Sequence, residues 1–164
     1  MSEFQEQSML RNQEGENLPK TGVPFSKTVY HGTVGDFEEY QQSPDSFGIF
    51  FTDSPSHADK FARLKAKDLS QRGLKDTPGG ENIRPAIVHM SNPLVVDMKG
   101  AEFEYYSIQK MAEEAKESGH DGLVLRDIAN FSPYDNTTST SYIVFEPSQI
   151  KSKFSESNKA ELKI

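Results

Sequence analysis

The feature that most constrains this chain is a series of short apolar runs, each stopped by glycine, proline or asparagine. The runs are rich in β-branched and aromatic residues, which is typical of β-strands. Two longer segments, 54–70 and 103–118, carry apolar residues at helical spacing, but they do not alternate regularly with the strands. This order predicts an α+β fold rather than a doubly wound parallel sheet. The predicted strands are 28–32, 47–52, 85–90, 94–97, 122–125 and 141–145.

Both ends of the 164-residue chain are polar and lack periodicity. Such segments cannot bury enough apolar surface to offset their chain entropy. We therefore predict a mobile N-terminal arm over residues 1–27, a single domain over 28–154 and a C-terminal tail over 155–164.

The composition narrows the classes of function. Eighteen Lys and Arg residues stand against 25 Asp and Glu residues, a net charge of −7 that disfavours binding to nucleic acid through a general basic surface. The chain has no cysteine, which excludes disulfides, iron–sulfur clusters and a thiol nucleophile. No apolar run approaches the roughly 18 residues that a membrane span needs, and the acidic N-terminus does not resemble a signal peptide. We expect a cytoplasmic protein with no membrane partner.

General catalytic motifs are absent from the sequence. It contains no dinucleotide-binding glycine pattern, no P-loop, no zinc-protease helix and no nucleophile elbow. The four histidines have no second histidine at a metal-ligand spacing, so we expect no metal site.

The unusual histidine is His31, which ends the first predicted strand and is followed directly by Gly32. Glycine lets a ligand approach the backbone closely, and the imidazole can hydrogen-bond a hydroxyl group. A histidine at a strand end can equally face solvent, so the pattern leaves both interpretations open.

The aromatic residues near the second strand leave a similar choice between core packing and ligand stacking. Two facing rings can clamp a flat heterocycle. Phe50 and Phe51 point to opposite faces of a strand, so at most one of them serves the same side as Gly48.

Three segments, taken together, resemble the signature of ADP-ribosyltransferases of the diphtheria-toxin and poly-ADP-ribose-polymerase group. Residues 29–33 (Val-Tyr-His-Gly-Thr) are similar to the first strand of that signature, and residues 48–54 followed by Phe61 are similar to the second. Residues 141–145 resemble the third strand, where the family places its catalytic glutamate. Across residues 28–152 the layout is most similar to the ADP-ribosyltransferase-like domains of phage polyvalent proteins. The resemblance implies a split, mostly antiparallel β core with flanking helices.

The resemblance also implies roles around NAD as the substrate. His31 would hydrogen-bond a ribose hydroxyl, and the Gly32 backbone would hold the nicotinamide carboxamide. Phe50 and Phe61 would stack on either side of the nicotinamide ring, while Ala58 stands near where many relatives use a serine to bind the carboxamide. The glycosidic bond would break with positive charge developing on the ribose. The implied NAD-binding residues are His31, Gly32, Thr33, Gly48, Phe50, Phe61 and Ser141.

The sequence departs from the family at the catalytic triad. His-Tyr-Glu of the family would read His31, Phe50 and Ser141 here, and a neutral serine hydroxyl cannot stabilise an oxocarbenium ion by its charge. Asp127 and Asp135 flank the loop before the last strand and could supply a carboxylate if that loop folds over the cleft. The implied catalytic residues are His31, Ser141 and Asp127.

Three functions therefore stay open. The first is a mono-ADP-ribosyltransferase, a toxin or effector that modifies a protein of a bacterial host or target cell and acts in the cytoplasm, including a host cytoplasm after delivery. The second is a binding module that keeps the fold, with or without NAD, which Ser141 and the acidic composition favour. The third is an NAD glycohydrolase or a transferase onto nucleic acid, and the negative charge disfavours the latter. Without the family glutamate, elongation of poly-ADP-ribose is not expected.

Overall fold

A computed structural model describes residues 19–34, 47–71, 81–131 and 137–152. Within these ranges the chain forms seven β-strands, two α-helices and one short 3-10 helix. In chain order the elements are β1 Phe25–Val34, β2 Ile49–Thr52, α1 Pro55–Gln71, β3 Glu81–Met90, β4 Pro93–Asp97, α2 Tyr105–Glu117, β5 Gly122–Ile128, β6 Ser139–Val144, the 3-10 helix Pro147–Gln149 and β7 Ile150–Ser152.

The described strands form one sheet in the order β4-β5-β6-β2-β1-β3-β7. All neighbouring strands are antiparallel except β4 and β5, which are parallel. A parallel pair needs a crossover connection, and α2 provides it between β4 and β5. The mixed sheet with two helices is consistent with the core that the sequence predicts, and the parallel edge pair is a feature that the sequence pattern did not indicate.

The junction between β1 and β2 divides the sheet into two halves. β1 pairs with β3 along its whole length, and β2 pairs with β6 along its whole length. Among the described residues, β1 and β2 are in register only where Tyr30 lies opposite Thr52. Thr52 is the last residue of β2, so the two strands part where β1 continues from Tyr30, and the sheet opens at the segment that carries His31 and Gly32.

Two clusters of buried side chains stabilise the sheet. Alternation along β2 and β6 places Phe51 and Tyr142 in one cluster, which collects residues from both halves of the sheet. Phe50 and Ile143 belong to the other cluster, which α2 covers with Ile108, Ala112 and Ala115.

The start of α1 follows the capping pattern of the sequence. The Thr52 hydroxyl accepts a hydrogen bond from the Ser54 amide (3.1 Å), and the Ser54 hydroxyl accepts one from the His57 amide (3.2 Å). Pro55 occupies the first helical position, where its missing N–H costs nothing.

No helix in the described part of the chain is long and apolar enough to cross a membrane.

The ordered sheet begins earlier than the predicted domain boundary at residue 28. β1 starts at Phe25, and the segment before it is held by β4: the Gly22 amide donates to the Pro93 carbonyl (2.9 Å), and the Val95 amide donates to the Thr21 hydroxyl (2.9 Å). Residues 1–18 of the predicted arm and the predicted tail 155–164 lie outside the described residues.

Candidate functional site

A cavity of about 300 Å³ opens where β1 and β2 diverge. Its volume is at the lower end of the ~300–1,000 Å³ that small-molecule sites span. Most of its surface is apolar, with a histidine and three hydroxyl side chains among the lining residues. We call it the cleft; it is lined by Tyr30, His31, Gly32, Phe50, Phe51, Thr52, Phe61 and Ser141.

His31 bridges the two halves of the sheet at one wall of the cleft. Its Nδ1 lies 2.8 Å from the carbonyl oxygen of Phe50, and its ring packs on Phe51 with centroids 5.4 Å apart. A carbonyl oxygen can only accept, so Nδ1 carries the proton and donates it. In the neutral ring Nε2 is then the acceptor nitrogen, which can accept a hydrogen bond from a ribose hydroxyl.

Gly32 lets α1 approach β1. A Cβ at this position would overlap the carbonyl oxygen of Ala58 and lie 3.0 Å from the amide nitrogen of Ala62. Ala58 is fully buried in this contact. The close packing sets the height of α1 above the cleft and thereby places Phe61, one turn after Ala58, at the edge of the cleft.

Phe61 is 36% exposed, although it is the aromatic residue that α1 contributes to the cleft. Its ring packs on Phe131 with centroids 4.8 Å apart, and the Lys60 ammonium group lies 5.5 Å from the Phe131 ring centroid. This arrangement holds the ring from behind and leaves it partly accessible, as a stacking residue must be.

The ring of Phe50 packs differently from that of Phe61. It makes edge contacts with Phe47 (5.3 Å) and Phe103 (6.2 Å) within the cluster beneath α2. Phe50 thus lines the cleft while its ring belongs to the core, and its carbonyl group anchors His31.

Gly48 does not line the cleft, and the side chain of Thr33 lies outside what the structure describes. Thr33 continues β1 beyond Gly32. Gly48 is buried at the start of β2, where a Cβ would overlap the Ile143 side chain and lie 2.9 Å from the Val144 carbonyl oxygen. The structure thus gives Gly48 a packing contact between β2 and β6.

Ser141 is 4% exposed and lies opposite Thr52 in the β2–β6 ladder. The side-chain amide of Asn130 donates a hydrogen bond to the Ser141 oxygen (3.2 Å). This bond uses one acceptor lone pair of the Ser141 hydroxyl, which can still donate its own proton. Asn130 is a site neighbour that the sequence analysis missed.

Asp127 lies in an irregularity of β5 and lines a different cavity. Its φ is +54°, and the β5–β6 register shifts between Leu125 and Ile128. Bulges of this kind re-aim the residues that follow, and here the chain turns so that Asn130 reaches Ser141. The second cavity, about 580 Å³ in volume and polar, is lined by Asp53, Ser54, Asp97, Arg126, Asp127, Thr138, Ser139 and Thr140. The other candidate carboxylate, Asp135, lies outside the described residues.

The backbone at Asp127 predicts how substitutions there behave. Asp127→Gly should keep or slightly raise the free energy of unfolding, because glycine adopts a positive φ without the ~1–2 kcal/mol that other residues pay. Asp127→Val should lower the free energy of unfolding by more than ~1–2 kcal/mol, because a β-branched residue fits a positive φ poorly. Urea denaturation of both variants checks the order; a more stable valine variant would contradict it.

His57 is the second residue that the sequence analysis missed. It is 3% exposed, and both ring nitrogens meet hydroxyl groups: Nδ1 lies 2.7 Å from Ser139 Oγ and Nε2 lies 2.9 Å from Thr137 Oγ1. The ring also meets Phe131 edge-on at 5.2 Å. Burial lowers the pKa of His57 from its ordinary value of 6.5, the charge of Lys60 lowers it further, and Asp53 opposes both effects.

Metal binding finds no support in the described residues. They contain no group of three His, Asp or Glu side chains placed to hold a metal ion together.

Comparison with known proteins gives the family. The family model described as "ADP-Ribosyltransferase in polyvalent proteins" matches residues 20–160. The chain belongs to this family. A search of curated proteins and of solved structures finds no match.

The match confirms the resemblance seen in the sequence and covers every described strand and helix. ADP-ribosyltransferases use NAD as a substrate. NAD is therefore the ligand that we compare with the cleft. Five of the seven residues that the resemblance assigned to NAD line the cleft: His31, Gly32, Phe50, Phe61 and Ser141.

Proposed function

We propose that this ADP-ribosyltransferase domain cleaves NAD in the cleft and transfers a single ADP-ribose to a side chain of a protein, in the cytoplasm of a bacterial host or target cell. One observation carries the proposal: β1, α1 and β6 bring His31, Phe61 and Ser141 to one cleft at the opening of the sheet. These are the segments on which the family signature lies.

The volume of about 300 Å³ and the mostly apolar walls support the nicotinamide end of NAD as the ligand of the cleft. We place the nicotinamide ring against Phe61, whose face is held by Phe131, and its carboxamide on the Gly32 backbone. His31 Nε2 then accepts a hydrogen bond from one ribose hydroxyl, while the Ser141 hydroxyl donates to a ribose oxygen. The mostly apolar walls exclude water and strengthen these bonds.

The reaction breaks the bond between the ribose C1″ and the nicotinamide nitrogen, and nicotinamide leaves as a neutral molecule. Positive charge develops on the ribose, and an acceptor nucleophile forms the new bond to C1″. None of the described residues that line the cleft is a carboxylate, so the site offers hydrogen bonds without a compensating negative charge. We therefore propose slow, single transfer rather than chain elongation.

Phe61 is the residue that tests binding most simply. We expect Phe61→Ala to weaken NAD binding about tenfold, because stacking of an aromatic side chain on a base contributes ~1–3 kcal/mol. Phe61→Tyr should bind like the wild type, since stacking needs only the aromatic face. Isothermal titration calorimetry measures both; equal affinities for the alanine variant and the wild type would remove Phe61 from the site.

A transfer assay tests the proposed reaction. The protein is incubated with NAD and a bacterial lysate, nicotinamide release is measured, and proteins are searched by mass spectrometry for an added ADP-ribose. An adduct that requires both NAD and the wild-type cleft, and that is lost in the His31→Ala variant, is the expected result. Nicotinamide release without any adduct would identify a glycohydrolase instead.

The second candidate is a module that binds NAD or a partner protein without turnover. The specific observation in its favour is Ser141, whose oxygen is bound by Asn130 where the family has a glutamate. NAD binding with neither nicotinamide release nor an adduct would select this candidate.

A further inference from the structure

We propose that a chain of buried hydroxyl groups carries the proton of the acceptor from the cleft to His57, which serves as the terminal base. This inference rests on the proposed function. It would give the domain a proton acceptor although the family glutamate is replaced by Ser141.

The chain of hydrogen bonds begins in the cleft and ends at the protein surface. Thr52 lines the cleft beside Ser141, and its hydroxyl lies 3.3 Å from the hydroxyl of Ser139. Ser139 lies 2.7 Å from His57 Nδ1, and His57 Nε2 lies 2.9 Å from the exposed Thr137. Thr52, His57 and Ser139 are all buried.

The relay requires that every hydrogen bond in the chain be donated in the direction of His57. Thr52 Oγ1 accepts from the Ser54 amide (3.1 Å) and donates its proton to Ser139 Oγ. With Ser139 Oγ accepting from Thr52, the relay uses the tautomer in which Ser139 donates its proton to an unprotonated His57 Nδ1. His57 Nε2 carries the ring proton and donates it to Thr137. This tautomer directs the basic nitrogen of the imidazole toward the cleft.

The surroundings of His57 keep it neutral. Burial and the ammonium group of Lys60, one turn further along α1, favour the neutral ring, while the carboxylate of Asp53 partly opposes them. Among the described residues, the groups that contact the His57 ring from Thr137, from Ser139 and from Phe131 are uncharged. The lowered pKa of His57 therefore leaves the base deprotonated and ready near neutral pH.

The proton transfer balances as follows. The acceptor nucleophile attacks C1″ and the bond to nicotinamide breaks, with its electron pair leaving on nicotinamide. The acceptor's proton passes to Thr52 Oγ1, the Thr52 proton passes to Ser139 Oγ, and the Ser139 proton passes to His57 Nδ1. His57 becomes an imidazolium ion and returns the proton to solvent on the side of Thr137.

The test is a pH profile of NAD cleavage for His57→Gln. Glutamine can accept from Ser139 and donate to Thr137 as histidine does, but it cannot take up a proton. We expect wild-type kcat to fall on the acid side with a midpoint below 6.5, because protonated His57 cannot act as a base. The variant should lose this acid limb and at least tenfold in kcat, with its Kd for NAD unchanged.

His89→Gln is the matched control. His89 also bonds two serine hydroxyls, Ser26 (2.9 Å) and Ser91 (3.2 Å), but it is exposed and lies outside the cleft. Its variant should keep the wild-type rate and pH profile. If His57→Gln does not fold, Ser139→Ala, which cuts the chain but keeps the histidine, must give the same loss of kcat and of the acid limb.

The outcomes separate this inference from the proposed function. A wild-type protein that cleaves NAD, together with folded His57→Gln or Ser139→Ala variants that keep its rate and its acid limb, overturns the relay and leaves the transferase proposal intact. A folded wild-type protein that neither binds nor cleaves NAD overturns the proposed function, and the relay with it.

Discussion

Replacing Ser141 with glutamate is expected to raise the rate of NAD cleavage at least tenfold. The variant would place a carboxylate where Ser141 now lines the cleft, and the amide of Asn130, 3.2 Å from the Ser141 oxygen, could hold it by donation. A negative charge beside the developing oxocarbenium ion adds an electrostatic stabilisation that a hydroxyl lacks, and in comparable sites one such interaction is worth about 10²–10³ in rate. Nicotinamide release at saturating NAD measures the effect.

A second variant controls for the added charge. Ser148→Glu adds the same carboxylate on the exposed 3-10 helix and should leave cleavage unchanged. If the Ser141→Glu variant binds NAD but its rate of NAD cleavage stays at background, the cleft is not that of a transferase that lacks one residue. The binding module then becomes the better description. If Ser141→Ala abolishes a robust wild-type activity, Ser141 has a direct role beyond holding the ribose.

Gly32→Ala is expected to abolish measurable NAD binding and to lower the free energy of unfolding by roughly 2–3 kcal/mol, near the upper end of the cost of overpacking. The new methyl group would overlap the Ala58 carbonyl, which is helix backbone and cannot rotate away. Relief requires α1 to move off β1, and that movement carries Phe61 away from the cleft. Denaturant unfolding and calorimetric titration with NAD measure the two effects.

Gly119→Ala is a control for the general effect of an added methyl group, because it leaves the contact between Gly32 and Ala58 unchanged. Gly119 follows α2 with φ +86° and has open space where a Cβ would stand. Gly119→Ala should lower the free energy of unfolding by about 1–2 kcal/mol, because alanine is strained in the left-handed backbone conformation. It should bind NAD normally. Gly32→Ala with wild-type stability and affinity would show that the contact between Gly32 and Ala58 does not set the cleft.

The apolar runs of the sequence located six of the seven described strands, because strand periodicity is a local property, and they missed the short β7. The runs failed at the start of β1, where Ser26 and Lys27 are polar yet pair with His89 and Val88 of β3. There, tertiary pairing overrides local preference. The parallel register of β4 and β5 depends on the path of the chain through α2, which no local pattern encodes.

The residues of the candidate site could also be predicted from the sequence only in part. The meeting of His31, Phe61 and Ser141 in one cleft could be expected, because they stand in order at positions that resemble the family signature. The positions of Asn130 and His57 could not, because their partners depend on the fold: His57 meets Ser139 across 82 residues, and Asn130 reaches Ser141 only through the irregularity in β5. A lone histidine at the start of α1 carried no signal in the sequence beyond its residue type.

The central claim is that the cleft takes the nicotinamide end of NAD. Calorimetric titration of the wild-type protein and of Phe61→Ala with NAD, nicotinamide and ADP-ribose separately tests it most directly. We predict that NAD and nicotinamide compete for one site and that both lose affinity in Phe61→Ala, while the folded fraction stays the same. Folded wild-type protein that binds neither NAD nor nicotinamide, or that binds both equally well after Phe61→Ala, would contradict it.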